Sequence, residues 1–183
     1  NLCLRTCLDE LVTPVTARPK PIVTLTSRSE LALSSNDLSP LLYAIGNLTS
    51  LTPLGLQSTT LTPLPETICD VIALKRLWLS DNQLTVLPQA IGNLTALTTL
   101  GLDGNLLTSL PKEIGNLTAL TWLDVSGNHL TAVPKTIGKL TALTELDLSS
   151  NDLSSLPHAI GNLTSLPTPG LPGHHLTALP ETI

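Results

Sequence analysis

The sequence predicts a solenoid of stacked coils, α/β in the loose sense that short parallel strands on one side face short helical, 3₁₀ or extended turns on the other. Three observations predict it. Residues 74–165 divide into four consecutive units of 23 residues, beginning at Leu74, Leu97, Leu120 and Leu143 and differing at a fixed minority of positions. Each unit opens on a strand-like pattern, carries asparagine at its ninth position, and changes character around a P-x-x-I-G segment. The leucines are spread through the whole unit, so one coil cannot cover its own and neighbours must stack to bury them.

The unit reads L-x-x-L-x-(L/V)-x-x-N-x-L-T/S-x-(L/V)-P-x-x-I-G-x-L-T-x. Its fourth and sixth positions alternate with period two, as in a strand with one buried face. Pro88, Pro111, Pro134 and Pro157 can then open a short helical or 3₁₀ turn, and Gly92, Gly115, Gly138 and Gly161 can close it with positive φ. Between the two, the chain turns inward. Asn82, Asn105, Asn128 and Asn151, with Asn36 in the same column, are placed to satisfy backbone groups that this turn leaves unpaired, because an amide both donates and accepts. Thr13, Thr59 and His174 interrupt the column, so the stack should be tightest in the middle.

Extending the frame gives starts at Leu51, Arg28 and Arg5 on one side and Leu166 on the other. Residues 28–183 form the solenoid, in units starting at 28, 51, 74, 97, 120, 143 and 166, the last truncated. Residues 1–27 fit weakly, with Glu10 and Arg18 at inward positions, and form a divergent N-terminal repeat or cap. In the last unit Pro169 replaces an inward strand leucine and cannot donate to a ladder, so a frayed coil is expected there. A chain that begins at Asn1 and stops within a unit is expected to be a piece of a longer protein.

Composition agrees. The 183 residues include no Phe, no Met, one Tyr, Tyr43, and two Trp, Trp78 and Trp122, so Leu, Ile and Val must make the core. An apolar share of 42% argues against disorder, and a formal charge of −5 disfavours nucleic acid while leaning towards basic partners. No apolar run approaches the roughly 18 residues of a membrane span. Cys3 and Cys7 stand four apart and Cys69 alone, which is no disulfide scaffold; reduced thiols are the simpler reading of the first two, with a small cystine cap the alternative.

The segments LKRLWLSDNQL, LTTLGLDGNLL, LTWLDVSGNHL and LTELDLSSNDL resemble the hallmark of the leucine-rich repeat family. The unit length and the segments LPQAIGNL, LPKEIGNL, VPKTIGKL and LPHAIGNL look like its typical or Ras-group subclass. The resemblance implies a curved solenoid with a parallel concave sheet and short helical, 3₁₀ or extended convex turns. It further implies a non-enzymatic protein-binding module with no cofactor, no metal and no catalytic residue, as a cytoplasmic monomer. Asn47, Asn93, Asn116 and Asn162 each begin N-L-T, an acceptor for glycosylation if the chain is instead extracellular. Duplication of one ancestral N-L-T accounts for the column more simply.

If positions four and six face inward, positions three, five, seven and eight face out from the strands, and these vary between units. They place Arg76, Trp78, Asp81, Gly101, Asp103, Trp122, Asp124, Glu145 and Asp147 on one face. Trp is over-represented among residues that dominate binding. Gly101, between the two indoles, should leave a shallow depression rimmed by Asp103, Asp124 and Asp147, suited to a partner's Arg or Lys. Lys112, Lys135 and Lys139 lie on the turn side. Asp124 and Asp147 have glycosidase-like spacing without an enclosing site, and His129 and His175 are too far apart to share a metal. The Thr62, Thr85, Thr108, Thr131 and Thr177 column suits packing between coils better than ice binding. A recognition arm of a larger signalling enzyme or receptor, or a repeat spacer without a partner, are the other readings; Pro53, Pro167, Pro169 and Pro172 suggest the last.

Overall fold

The computed structural model describes the backbone of residues 31–32 and the whole of residues 45–166. The N-terminal cap, Cys3, Cys7, Asn36, His174, His175 and the proline-rich last unit lie outside the described residues. Six parallel strands form one sheet in chain order: β1 (Leu31–Ala32), β2 (Pro53–Gly55), β3 (Arg76–Trp78), β4 (Thr99–Gly101), β5 (Trp122–Asp124) and β6 (Glu145–Asp147). Each strand pairs with the residue 23 positions on, as in Leu54↔Leu77, Leu77↔Leu100, Leu100↔Leu123 and Leu123↔Leu146. The strands are shorter than the L-x-x-L-x-L segment, but interstrand bonds continue past them, with Leu79 N–H donating to Gly101 C=O at 2.8 Å and Asp81 N–H to Asp103 C=O at 2.9 Å. Pro53 stands at the first position of β2, where a missing N–H is tolerated.

On the return side each coil makes a 3₁₀ segment: Ile45–Asn47, Glu66–Asp70, Gln89–Asn93, Lys112–Asn116, Lys135–Lys139 and His158–Asn162. Proline precedes five of them, from Pro65 to Pro157, with φ between −61° and −67° and extended ψ. Its C=O accepts the first i→i+3 bond, from Ile91 N–H to Pro88 C=O at 3.0 Å for example. The pyrrolidine ring presets φ and the position needs no donor, which is why proline recurs there.

The core is a set of aliphatic columns. In the coil from Leu74, the residues Leu74, Leu77, Leu79, Leu84, Leu87, Ile91 and Leu94 are all buried, and their equivalents are buried in the coils from Leu97 and Leu120. Complete burial of each such side chain contributes roughly 1.5–3 kcal/mol, and most of its cover comes from the coils above and below.

The glycines of the return segment act differently from the expectation of positive φ. Gly92, Gly115 and Gly138 do not adopt it; a Cβ there would stand 2.8, 2.4 and 2.4 Å from the backbone oxygens of Glu113, Thr136 and Ala159 in the next coil. They are glycine because the coils approach backbone to backbone at that column. Gly161 likewise lacks positive φ. The left-handed conformation falls instead at the eighth position, at Ser58, Asp81, Gly104, Gly127 and Ser150, with φ between 53° and 64°. Here the chain leaves the strand and folds inward, and the left-handed residue reverses its direction just before the asparagine. The cost of this conformation to a side chain falls on Ser58, Asp81 and Ser150 in this column, and on Thr60 two residues beyond Ser58.

The asparagines occupy the next column and are nearly inaccessible, from 3% for Asn105 to 7% for Asn151. Each ties its own turn to the preceding coil. Asn128 Nδ2 donates to Val125 C=O three residues back at 3.0 Å and to Leu102 C=O in the preceding coil at 3.0 Å, while its Oδ1 accepts from Leu107 N–H at 3.0 Å. Asn105 and Asn151 repeat the pattern with Leu84 and Leu130 as donors. Thr59, which departs from the column, is also buried; its hydroxyl reaches Leu56 C=O in its own turn at 2.9 Å and Asn82 Oδ1 in the next coil at 3.0 Å. A second polar column lies at the start of the strands, where the hydroxyls of Thr98, Thr121 and Thr144 each donate to the carbonyl one coil back at 3.0 Å.

Two substitutions separate these devices. Asn128→Ala strips partners from one buried N–H and two buried carbonyls, so chemical denaturation should show a loss of about 3 kcal/mol or more, at roughly 1–3 kcal/mol for each orphaned group; a loss near zero would mean that the amide is not holding the coils. Gly115→Ala should also destabilise by about 1–3 kcal/mol, through overpacking against Thr136, and an unchanged melting curve would contradict the close approach.

Candidate functional site

The outward side chains of β2–β6 stand in two rows fixed by the register. The first row is Pro53, Arg76, Thr99, Trp122 and Glu145; the second is Gly55, Trp78, Gly101, Asp124 and Asp147. Trp78 lies between two buried glycines, Gly55 and Gly101. The open depression expected at Gly101 is absent. A Cβ there would stand 3.3 Å from Trp78 Cδ1 and 3.5 Å from Trp122 Cζ3, so the two indoles close over the glycine from both sides. With no side chain on Gly101, the buried glycine is flanked by Ser80 Oγ and by the edges of both partly exposed indoles. The Arg76 guanidinium rests over Trp78, 5.4 Å from the ring centroid, a cation–π contact within one strand.

Carboxylates surround the second indole. Asp124 and Asp147 are paired across β5 and β6, and Glu145 is paired with Trp122. Asp124 Oδ1 accepts from Ser126 N–H at 2.9 Å, and Asp147 Oδ1 accepts from Ser149 N–H at 2.8 Å. Asp103, beyond the end of β4, accepts from Ser80 Oγ at 2.5 Å. Among the described residues no basic side chain forms an ion pair with Asp103, Asp124, Glu145 or Asp147; the two ion pairs are Lys112–Glu113 at 3.9 Å and His129–Asp152 at 3.4 Å, both elsewhere. Asp81 also falls beyond its strand, in the left-handed turn, with its carboxylate against Gly104. It stands three residues beyond the end of β3, where its N–H still bonds to Asp103 C=O in the next coil.

The serines of this site were not singled out in the sequence, although their signal is present. Asp124-Val125-Ser126 and Asp147-Leu148-Ser149 each place an acceptor two residues before a turn N–H, the spacing of a local side-chain-to-backbone bond. These bonds hold the carboxylates in place. Asp124 is half-buried, and burial, followed by the nearby charges of Asp103 and Asp147, raises its pKa above the ordinary carboxylate value, against the hydrogen bonds from Ser126. Cys69, which occupies the return-segment glycine column, is fully buried; burial first, then Asp70 and Glu66, push its thiol up to about 12, so it stays protonated. Among the described residues no group of three or more His, Cys, Asp or Glu side chains is arranged for a metal, and no helix is long and apolar enough to cross a membrane.

Short parallel strands, buried turn asparagines and proline-opened 3₁₀ returns at a fixed interval define the class as a leucine-rich repeat solenoid. The sequence matches the leucine-rich repeat region family over residues 89–168 and the leucine-rich repeat family over residues 73–94. The chain is a leucine-rich repeat protein. It is similar to a leucine-rich repeat protein of Leptospira interrogans, at 34% identity and a TM-score of 0.77 over 91% of this chain, and it spans 48% of that protein. It is also similar to the ectodomain of a plant membrane receptor kinase from Arabidopsis thaliana solved with Casparian strip integrity factor 2, at 32% identity and a TM-score of 0.70; 77% of this chain is covered, and 18% of that one. An internalin of Listeria monocytogenes shares the fold at 24% identity, with a TM-score of 0.73, 87% of this chain and 46% of that one covered. Curated protein sequences gave no significant match.

The raised pKa of Asp124 has a signed consequence. The folded state holds this proton more tightly than the unfolded state, so the ionised carboxylate weakens the fold above the folded pKa, and the penalty disappears as pH falls below the unfolded value of about 3.8. Asp124→Asn should therefore melt higher than the parent at about pH 7, with the difference closing towards about pH 3. A gap that grows on acidification would contradict the raised pKa.

Proposed function

We propose that the chain is a non-enzymatic protein-interaction module that binds a partner with a basic surface on its strand face. One observation supports the reading above others: the sheet face carries two half-exposed indoles beside four carboxylates that have no basic ion-pair partner among the described residues. Indoles supply contact area with few rotors to immobilise, and unpaired carboxylates supply complementarity to a basic partner. The fold class serves generally in protein interaction, and the plant receptor ectodomain to which the chain is similar was solved in complex with Casparian strip integrity factor 2. Arg76, Trp78, Asp103, Trp122, Asp124, Glu145 and Asp147 make the contact, with Gly101 beneath the indoles and Asp81 beyond the end of β3.

The cytoplasmic monomer expected from the repeat subclass and its secreted alternative separate on one property. Asn47, Asn93, Asn116 and Asn162 are all exposed on the return side, away from the sheet. A secreted chain would carry glycans there without obstructing the strand face, and a loss of mass on treatment with an N-glycosidase would establish the extracellular reading.

The test of binding is electrostatic. Affinity for an oligolysine or oligoarginine peptide should fall by about tenfold or more between roughly 0.05 and 0.5 M salt, because exposed charges are screened over about 14 Å at the lower concentration and 4 Å at the higher. The double variant Trp78→Ala/Trp122→Ala should lose most of what remains at high salt. Binding that ignores salt, or that survives the double substitution, would remove the proposal.

A further inference from the structure

The two indoles are not equivalent, although the sequence places them on one face. Trp78 already has a cation over it, the guanidinium of Arg76 at 5.4 Å. Trp122 has Thr99 on one side and Glu145 on the other in its own row, with Asp124 two residues along its strand and Asp147 beside that. Among the described residues the only cation stacked on an aromatic ring is Arg76 on Trp78, so the more acidic indole is the one without a cation. The charge on the sheet is therefore uneven: its cation sits on β3, and its acids sit on β5 and β6 and beyond the ends of β3 and β4, at Asp81 and Asp103.

Resting on the basic-partner reading above, we infer that a partner's arginine docks on Trp122 among Asp124, Glu145 and Asp147, while Arg76 keeps the Trp78 ring occupied and turns a second cation away. The Arg76–Trp78 stack is the same contact made within the chain: a planar guanidinium lying against an indole on this sheet. Arginine suits the Trp122 end better than lysine because its planar fork can stack on the ring and still reach a carboxylate edge-on. Two strand steps, roughly 10 Å, separate β3 from β5, about one Debye length at 0.1 M salt. Arg76 thus repels a cation over Trp78 strongly and one over Trp122 only weakly, which positions the partner's arginine as well as attracting it.

The chain contains two tryptophans, so a ¹⁵N-labelled sample shows two indole N–H signals, assigned with Trp78→Phe. Titration of the full chain with N-acetyl-arginine amide should move the Trp122 signal along a saturable curve and leave the Trp78 signal in place. Asp124→Asn should weaken that response about two- to fivefold, as for loss of an exposed ion pair. In Arg76→Ala, whose exposed side chain is outside the core, the Trp78 ring is released and both signals should move. Equal movement of both signals in the parent chain, or a silent Trp78 in Arg76→Ala, overturns the division of labour while leaving the basic-partner reading intact. No movement of either signal, even near 0.1 M probe at low salt, overturns that reading and this inference with it.

Discussion

The structure depends first on the buried asparagine at the turn between strand and return. A coil that folds its chain inward after three strand residues brings backbone carbonyls and N–H groups away from water before a regular ladder can pair them. One amide answers for its own coil and the one before: Asn128 holds Val125 in its own coil and Leu102 and Leu107 in the coil before, and Asn105 and Asn151 do the same a step either way. Burial of such groups without partners is strongly unfavourable, so this column sets the angle at which each coil enters its neighbour. Aliphatic columns supply most of the stabilisation but little direction. The asparagines supply direction, and Thr59 shows the minimum that will substitute at one end.

Because the coil is fixed by its inward residues, its outward strand positions are left to vary. They hold Arg76, Trp78, Thr99, Gly101, Trp122, Asp124, Glu145 and Asp147 without disturbing Leu77, Leu100 or Leu123 beneath them. Charge divides less sharply: the return segments balance Lys112, Lys135 and Lys139 against Glu66, Asp70 and Glu113, while carboxylates without ion-pair partners lie on or beside the sheet. Asp124 holds its proton more tightly than an ordinary carboxylate, chiefly because it is partly buried and secondarily because Asp103 and Asp147 lie near it.

The 23-residue period made the architecture legible, down to the buried leucines and the proline-opened return, because translation by one coil must repeat every inward contact. It could not distinguish two reasons for glycine. Gly92, Gly115 and Gly138 recur because the next backbone lies against them, whereas the left-handed turn is carried by a column that mixes Ser58, Asp81, Gly104, Gly127 and Ser150 and so shows no single-residue signature. The candidate face was legible as a set of positions but not as a surface. Whether Gly101 leaves a hollow depends on where two flexible indoles come to rest, and they rest over it. Nor does sequence spacing reveal that the Arg76 guanidinium rests over Trp78, or that Asp81 adopts the left-handed conformation.

The central claim is that inward columns build the solenoid and the variable strand residues bind. One quadruple variant tests it, replacing the face of β5 and β6 by that of β4: Trp122→Thr, Asp124→Gly, Glu145→Thr and Asp147→Gly, with each new residue already present at the equivalent site in Thr99 or Gly101. Its thermal unfolding should stay cooperative and fall by no more than about 10–15 °C, as for two strand glycines and two lost local hydrogen bonds worth about 2–5 kcal/mol together, while its binding to an oligoarginine peptide disappears. Retained binding in a folded variant, or loss of cooperative unfolding, would contradict the separation of tasks on which the account rests.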